Sequence, residues 1–101
     1  MFNLKNKSAV ITGGGSGIGK AMSVLFAKQG ALVHIIELNT EAAFDTVNEI
    51  TAGNGKAYSY TCDVSDQQQV VDTFSRIGKI DILINNAGIA HIGSADNTTE
   101  A

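Results

Sequence analysis

Ser8-Ala9-Val10-Ile11-Thr12-Gly13-Gly14-Gly15-Ser16-Gly17-Ile18-Gly19 is the stretch on which the fold turns. Its first five residues are short, apolar and rich in β-branched side chains, which reads as a buried strand running into a glycine turn. From Ile18 the apolar spacing changes. Ile18, Ala21, Met22, Leu25 and Phe26 recur at intervals of three and four until Gly30, the pattern of an amphipathic helix with a glycine at its C-terminal end.

Leu32 to Ile36 reads as a second strand, followed by Glu37. A second helix is expected from about Thr40 to Thr51, with Thr40 as its N-cap and Ala42, Ala43, Val47 and Ile50 facing inward. Gly53-Asn54-Gly55 breaks it. Lys56 to Cys62 is expected as a third strand leading to Asp63-Val64, and Ser65 as the cap of a helix carrying Val70, Val71, Phe74 and Ile77 that ends at Gly78. Gln67 to Gln69 read as that helix's solvated face. Ile80 to Ile84 is the fourth strand, Asn85-Asn86-Ala87-Gly88 follows it, and a polar tail runs from Ile89 to Ala101. The order β-α-β-α-β-α-β implies one α/β unit, a doubly wound parallel sheet of the Rossmann type with helices on both faces. Such sheets bind ligands beyond the carboxyl ends of their strands, at the point where strand order reverses.

Composition narrows the function classes. Ten acidic residues against seven basic ones give a net charge of −3, without the concentrated Lys and Arg that a nucleic-acid surface needs. With 44% hydrophobic and 17% charged residues the chain is globular in composition. A single Cys forms no internal disulfide, so a reducing compartment is the natural setting. No apolar run approaches the roughly 20 residues of a membrane span, and the N-terminal MFNLKNK is not a secretory signal. The reading is a cytoplasmic protein that engages neither nucleic acid nor membrane.

The glycine turn lies between a strand and a helix, where free N–H groups and close backbone approach favour a pyrophosphate. G-x-G-x-x-G fits in no register, because Ile18 or Lys20 stands where its last glycine belongs. T-G-x-x-x-G-x-G does fit, on Thr12, Gly13, Gly17 and Gly19. This signature resembles that of the short-chain dehydrogenase/reductase family, and Glu37, Cys62-Asp63-Val64 and Asn85-Asn86-Ala87-Gly88 resemble family elements in the same order after the next three strands. The resemblance implies an oxidoreductase that moves a hydride between a nicotinamide cofactor and a small alcohol or ketone. It places Gly13, Gly15, Ser16, Gly17, Ile18 and Gly19 at the cofactor phosphates. Asp63 and Val64 would hold the adenine, and Asn85, Ala87 and Gly88 would lie beside a ribose. Glu37 stands 18 residues beyond Gly19, where an acidic side chain accepts from the adenosine ribose hydroxyls and repels a 2′-phosphate, so NAD is expected over NADP.

Other readings stand beside these. Gly14 to Lys20 satisfies G-x-x-x-x-G-K, but Ala21 supplies no hydroxyl for Mg²⁺. Glu37 also reads as a solvated loop carboxylate, Asp63 as the start of an Asx turn, and the asparagines as buried strand ties. Cys62 reads as a small apolar residue, and His34 and His91 as side chains without metal partners. The family's catalytic serine and Tyr-x-x-x-Lys pair have no match: Tyr58 and Tyr60 are followed four positions later by Cys62 and Val64. The expectation is therefore the N-terminal, cofactor-binding part of a longer enzyme, without catalytic residues of its own and homo-oligomeric when intact. In keeping with truncation, Asn97 to Ala101 reads as the first turn of a helix capped by Thr98 or Thr99. A non-catalytic NAD-binding or regulatory module is the alternative, and a P-loop ATP-binding fragment, on Gly14 to Lys20, is a weaker one.

Overall fold

Among the described residues, four strands and three helices alternate as β1 (Ser8–Thr12), α1 (Gly17–Lys28), β2 (Leu32–Ile36), α2 (Thr40–Ala52), β3 (Lys56–Tyr60), α3 (Gln67–Ile77) and β4 (Ile82–Asn85). The computed structural model describes residues 3–86; Ala87, Gly88, the polar tail with His91 and the expected helix start at Thr98 or Thr99 lie outside them. The strands form one parallel sheet in the order β3-β2-β1-β4. Parallel neighbours require a crossover, and each helix supplies one. The chain steps outward from β1 to β3, then returns past β1 to lay down β4, so strand order reverses between β1 and β4. β4 is an edge strand of the described sheet, and Leu83 on it is half-exposed.

Alternation of side chains along the strands divides the core in two. Ala9, Ile11, Val33 and Ile35 face one side, packed with Ala27 of α1 and Ala43 and Ile50 of α2. Val10, Ile36 and Cys62 face the other, against Val70, Phe74 and Ile77 of α3. Burying each of Ile11, Ile35 and Ile36 contributes about 1.5–3 kcal/mol of transfer free energy. On the α3 side, His34 Nδ1 lies 2.9 Å from the Tyr60 hydroxyl, and the Arg76 guanidinium sits 5.3 Å from the Tyr60 ring centre. Burial lowers the pKa of His34 and raises that of Tyr60, with Arg76 opposing the second shift.

The structure moves several boundaries. β3 stops at Tyr60, its last ladder bond running from the Glu37 N–H to the Tyr60 carbonyl at 3.1 Å, so Cys62 falls in the following loop. β4 begins at Ile82 because Asp81 engages Ser8 twice. The Asp81 N–H donates to the Ser8 carbonyl at 2.8 Å, and Asp81 Oδ2 accepts the Ser8 N–H at 2.8 Å, a carboxylate standing where a strand carbonyl would. Asn39, not Thr40, caps α2, accepting the Ala42 N–H at 3.0 Å; Asp66, not Ser65, caps α3, accepting from Gln68 and Gln69 at 3.0 and 3.2 Å. Asn39 and Asp66 both have the extended backbone of an N-cap.

The buried stripe of α1 is Gly19, Ser23 and Ala27, spaced by four. Ile18, Ala21 and Leu25, expected on the apolar face, are exposed, because the helix turns that small-residue stripe to the sheet and these three lie off it. Likewise Thr73 rather than Val71 is buried on α3, and Thr46 joins Ala43 and Ile50 on the inner face of α2.

Candidate functional site

Register places Thr12, Ile36, Tyr60 and Asn85 at one level of the sheet, so the segments after all four strands open on the same end. The ladder continues one residue past β1, the Gly13 N–H donating to the Ile36 carbonyl at 2.7 Å. Gly13 then turns with φ of 66° and starts the loop.

The loop glycines differ in why they are glycines. A side chain at Gly19 would strike the Gly13 carbonyl; at Gly14 it would meet Ser23 Oγ at 2.9 Å; at Gly15 it would meet the Glu37 side chain at 2.8 Å and the Ala43 nitrogen at 3.0 Å. Gly17 has open space around it and is glycine for its φ of 56°. Gly14, Gly15 and Gly19 are buried, whereas Ser16, Gly17 and Ile18 form an exposed rim.

Ser16 is the N-cap of α1, yet its side chain makes no capping bond, and no acidic residue occupies the first turn. α2 and α3 are both capped by side chains. The start of α1 therefore carries neither a capping side chain nor an acidic one against the positive end of the helix field, a setting that attracts an anion. The lysine that a P-loop requires is turned elsewhere: Lys20 Nζ pairs with Glu49 Oε1 of α2 at 3.3 Å.

Glu37 sits at the junction of the loops. Its Oε1 accepts the Gly15 N–H at 3.0 Å and its Oε2 the Asn39 N–H at 3.2 Å. Beside it a cleft of about 90 Å³ is lined by Gly13, Ile36, Glu37, Leu38, Cys62, Asp63 and Val64, several times the space of one water. Thus Glu37, Asp63 and Val64, distant in sequence, share a wall with the glycine turn. Asp63 does form the Asx-type turn: its Oδ1 accepts the Ser65 N–H at 2.9 Å and the Ser65 hydroxyl at 2.6 Å. At the other flank the Thr12 hydroxyl donates to Asn85 Oδ1 at 3.1 Å, and Asn86 Nδ2 donates to the Gly13 carbonyl at 3.4 Å, so both asparagines tie β4 to β1. Ala87 and Gly88 lie outside the described residues.

A larger hollow, about 280 Å³, lies at the amino ends of the strands among Lys7, Ser8, Leu32 and Lys56. Of the two, the smaller cleft is the one at the carboxyl ends of the strands, bordered by Gly13 of the glycine turn and by Glu37, Asp63 and Val64. No cluster of three His, Cys, Asp or Glu side chains is assembled among the described residues, and no helix among them is long and apolar enough to cross a membrane. Ser23, Thr46 and Leu38 are the site's neighbours that residue patterns alone left unmarked. Ser23 was signalled by its place four residues after Gly19, on the stripe that has to face the turn.

A dinucleotide fits what is present: a turn in which Gly14, Gly15 and Gly19 leave no room for a side chain and Gly17 takes a positive φ, a helix start without a capping side chain, and a flanking carboxylate. Known proteins bear on the same point. The family model for short chain dehydrogenase matches residues 7–101. The chain is 41% identical over 97 residues to the 7α-hydroxysteroid dehydrogenase of Escherichia coli (strain K12), covering 87% of this chain and 38% of that protein. It is 42% identical over 101 residues to the short-chain dehydrogenase/reductase homolog YusS of Bacillus subtilis (strain 168), covering 94% of this chain and 93% of that protein. A solved 7α-hydroxysteroid dehydrogenase complexed with NADH and 7-oxo glycochenodeoxycholic acid superposes with a TM-score of 0.75 at 38% identity, over 81% of this chain and 34% of that one.

Proposed function

The chain belongs to the short-chain dehydrogenase family, and from that premise we propose that it is the NAD-binding part of an oxidoreductase acting on an alcohol or ketone. The observation that carries the reading is the convergence of the glycine turn, Glu37 and Asp63-Val64 on one cleft at the carboxyl end of the sheet. When bound, the nicotinamide group supplies or takes up the hydride. The chain's own residues bind and orient. The rim of Ser16, Gly17 and Ile18, with Gly13, Gly15 and Gly19 behind it, receives the pyrophosphate on outward N–H groups. Glu37 accepts from the ribose hydroxyls, while Asp63 and Val64 border the adenine. Asn85, with Ala87 and Gly88, flanks the second ribose.

The preference for NAD over NADP follows from charge. Glu37 stands at the cleft with Leu38, Asn39 and Thr40 beside it, and these supply no cation to balance a 2′-phosphate. Proton transfer to a carbonyl needs a positioned acid, which the family takes from a Tyr-x-x-x-Lys pair that this sequence lacks. Chemistry is therefore assigned to a whole protein containing this part, homo-oligomeric and cytoplasmic, with a small alcohol or ketone as substrate.

A second reading is favoured by one observation: the chain covers 93% of its Bacillus subtilis relative, so a family chain of this extent also occurs as a protein of comparable length. On that reading the chain binds nicotinamide dinucleotide without turning it over. Titrating the protein with NADH and NADPH, followed by nicotinamide fluorescence, tests the shared premise. Saturable NADH binding with weaker NADPH binding is expected; absence of NADH binding, or equal binding with Mg-ATP, overturns it.

A further inference from the structure

We infer that the buried hydroxyls of Thr46 and Ser23 are positioning residues, which aim the N–H groups of the glycine turn by holding its carbonyls from behind. The inference rests on reading that turn as the dinucleotide site. Both side chains are fully buried in helices, where hydroxyl residues gain nothing from propensity. Thr46 Oγ1 donates to the Gly15 carbonyl at 3.1 Å, and Ser23 Oγ donates to the Gly14 carbonyl at 3.2 Å. Each hydroxyl also reaches the carbonyl four residues back in its own helix, Ala42 at 3.0 Å and Gly19 at 2.8 Å. Each hydroxyl has one hydrogen to divide between its two carbonyls, and when it is removed the helical carbonyls keep their backbone N–H donors, so the loss falls on the turn.

The consequence follows from the planar trans peptide, in which C=O and the next N–H point in opposite directions. Holding the Gly14 carbonyl against α1 directs the Gly15 N–H the other way, and that N–H does meet Glu37 Oε1 at 3.0 Å. Holding the Gly15 carbonyl against α2 directs the Ser16 N–H away from α2, toward the exposed rim. Gly15 is thus gripped at its N–H by Glu37 and at its carbonyl by Thr46, from residues 22 and 31 positions away. A turn built of glycines has the most backbone freedom to lose, and these grips remove it before a ligand arrives.

Thr46→Val keeps the shape and removes the donor. In the ligand-free protein, the Gly15 amide is expected to exchange its hydrogen about fivefold faster or more, relative to the Val10 amide in β1 as internal reference. NADH affinity is expected to fall about fivefold or more, and Thr46→Ser to restore both. Ile50→Val, a core change on the same helix, is expected to leave NADH affinity at the wild-type value. Unchanged Gly15 exchange and NADH affinity in Thr46→Val overturn the inference, as does an equal loss in Ile50→Val. Should Thr46→Val fail to fold, Ser23→Ala makes the same test on the peptide that carries the Gly15 N–H itself. A wild-type protein that does not bind NADH overturns the nicotinamide reading, and the Gly15 exchange rates alone then decide whether the grip exists.

Discussion

Glu37 Oε1 accepts the backbone N–H of Gly15 at 3.0 Å, which joins the acidic residue after β2 and the turn after β1 into one hydrogen-bonded unit. Glu37 therefore has two separable properties, an acceptor for the turn and a negative charge beside the cleft.

Glu37→Gln keeps an acceptor oxygen for Gly15 while it removes the charge and the second acceptor, which takes the exposed Asn39 N–H. Its discrimination between NADH and NADPH is expected to weaken while NADH still binds. Glu37→Ser combined with Leu38→Arg removes the acceptor and adds a cation at the exposed neighbour, so the NADPH-to-NADH affinity ratio is expected to rise about tenfold or more, less so at high salt. Parallel titrations with both cofactors check this; an unchanged ratio in the double variant refutes the assignment of Glu37.

The glycines are expected to rank by what surrounds them. Gly19→Ala drives a methyl into the Gly13 carbonyl and is expected to cost at least about 1–3 kcal/mol, with loss of NADH binding. Gly17→Ala meets no atom but must hold φ at 56°, a strain of about 1–2 kcal/mol. Gly53→Ala, at ordinary contact distance and negative φ, is expected to be neutral or stabilising by up to about 1 kcal/mol. Urea unfolding of the three variants settles the order, and a Gly19→Ala protein as stable as Gly53→Ala would contradict the packing described here.

Much of this was legible in the residues, for reasons that differ by element. The strand-helix alternation is written in the switch from the apolar run Val10-Ile11 to spacings of three and four after Gly17. Once the sheet is parallel, strand ends share a level, so Glu37 and Asp63 had to approach the glycine turn. Cap positions were not legible: Asn39-Thr40 and Ser65-Asp66 are adjacent competent caps, and backbone angles choose between them. Thr46 was hidden for a deeper reason. A polar helix residue reads as solvated unless its partner is known, and its partner carbonyl lies 31 residues back in the turn.

Those cap assignments predict their own outcome. Asn39→Ala and Asp66→Ala are each expected to cost about 1 kcal/mol, because each leaves helix N–H groups without an acceptor. Thr40→Ala and Ser65→Ala are expected to cost less than half of that. Denaturant midpoints with an unchanged slope measure the four effects, and a larger loss at Thr40 or Ser65 than at its neighbour reverses the assignment.

Stability is expected to fall with acid in two separate windows. Burial lowers the pKa of His34 from its ordinary 6.5, so the unfolded chain takes up that proton more readily. The stabilisation is complete above pH 6.5 and is lost as pH falls through the folded value. The Tyr60 hydroxyl both donates and accepts and so serves either protonation state, which leaves desolvation of the ring as the cause. The Asp81 carboxyl is held below its ordinary 3.8, first by the Ser8 N–H, with Lys79 and Lys7 adding to the effect and burial opposing it. Its contribution is present above pH 3.8 and disappears as pH falls through the folded value, releasing the clasp between the starts of β1 and β4. Urea midpoints measured from pH 8 to pH 3 are expected to decline in both windows in the wild type. His34→Gln is expected to flatten the upper window alone and Asp81→Asn the lower one alone, and a His34→Gln profile parallel to the wild type would remove His34 as the cause.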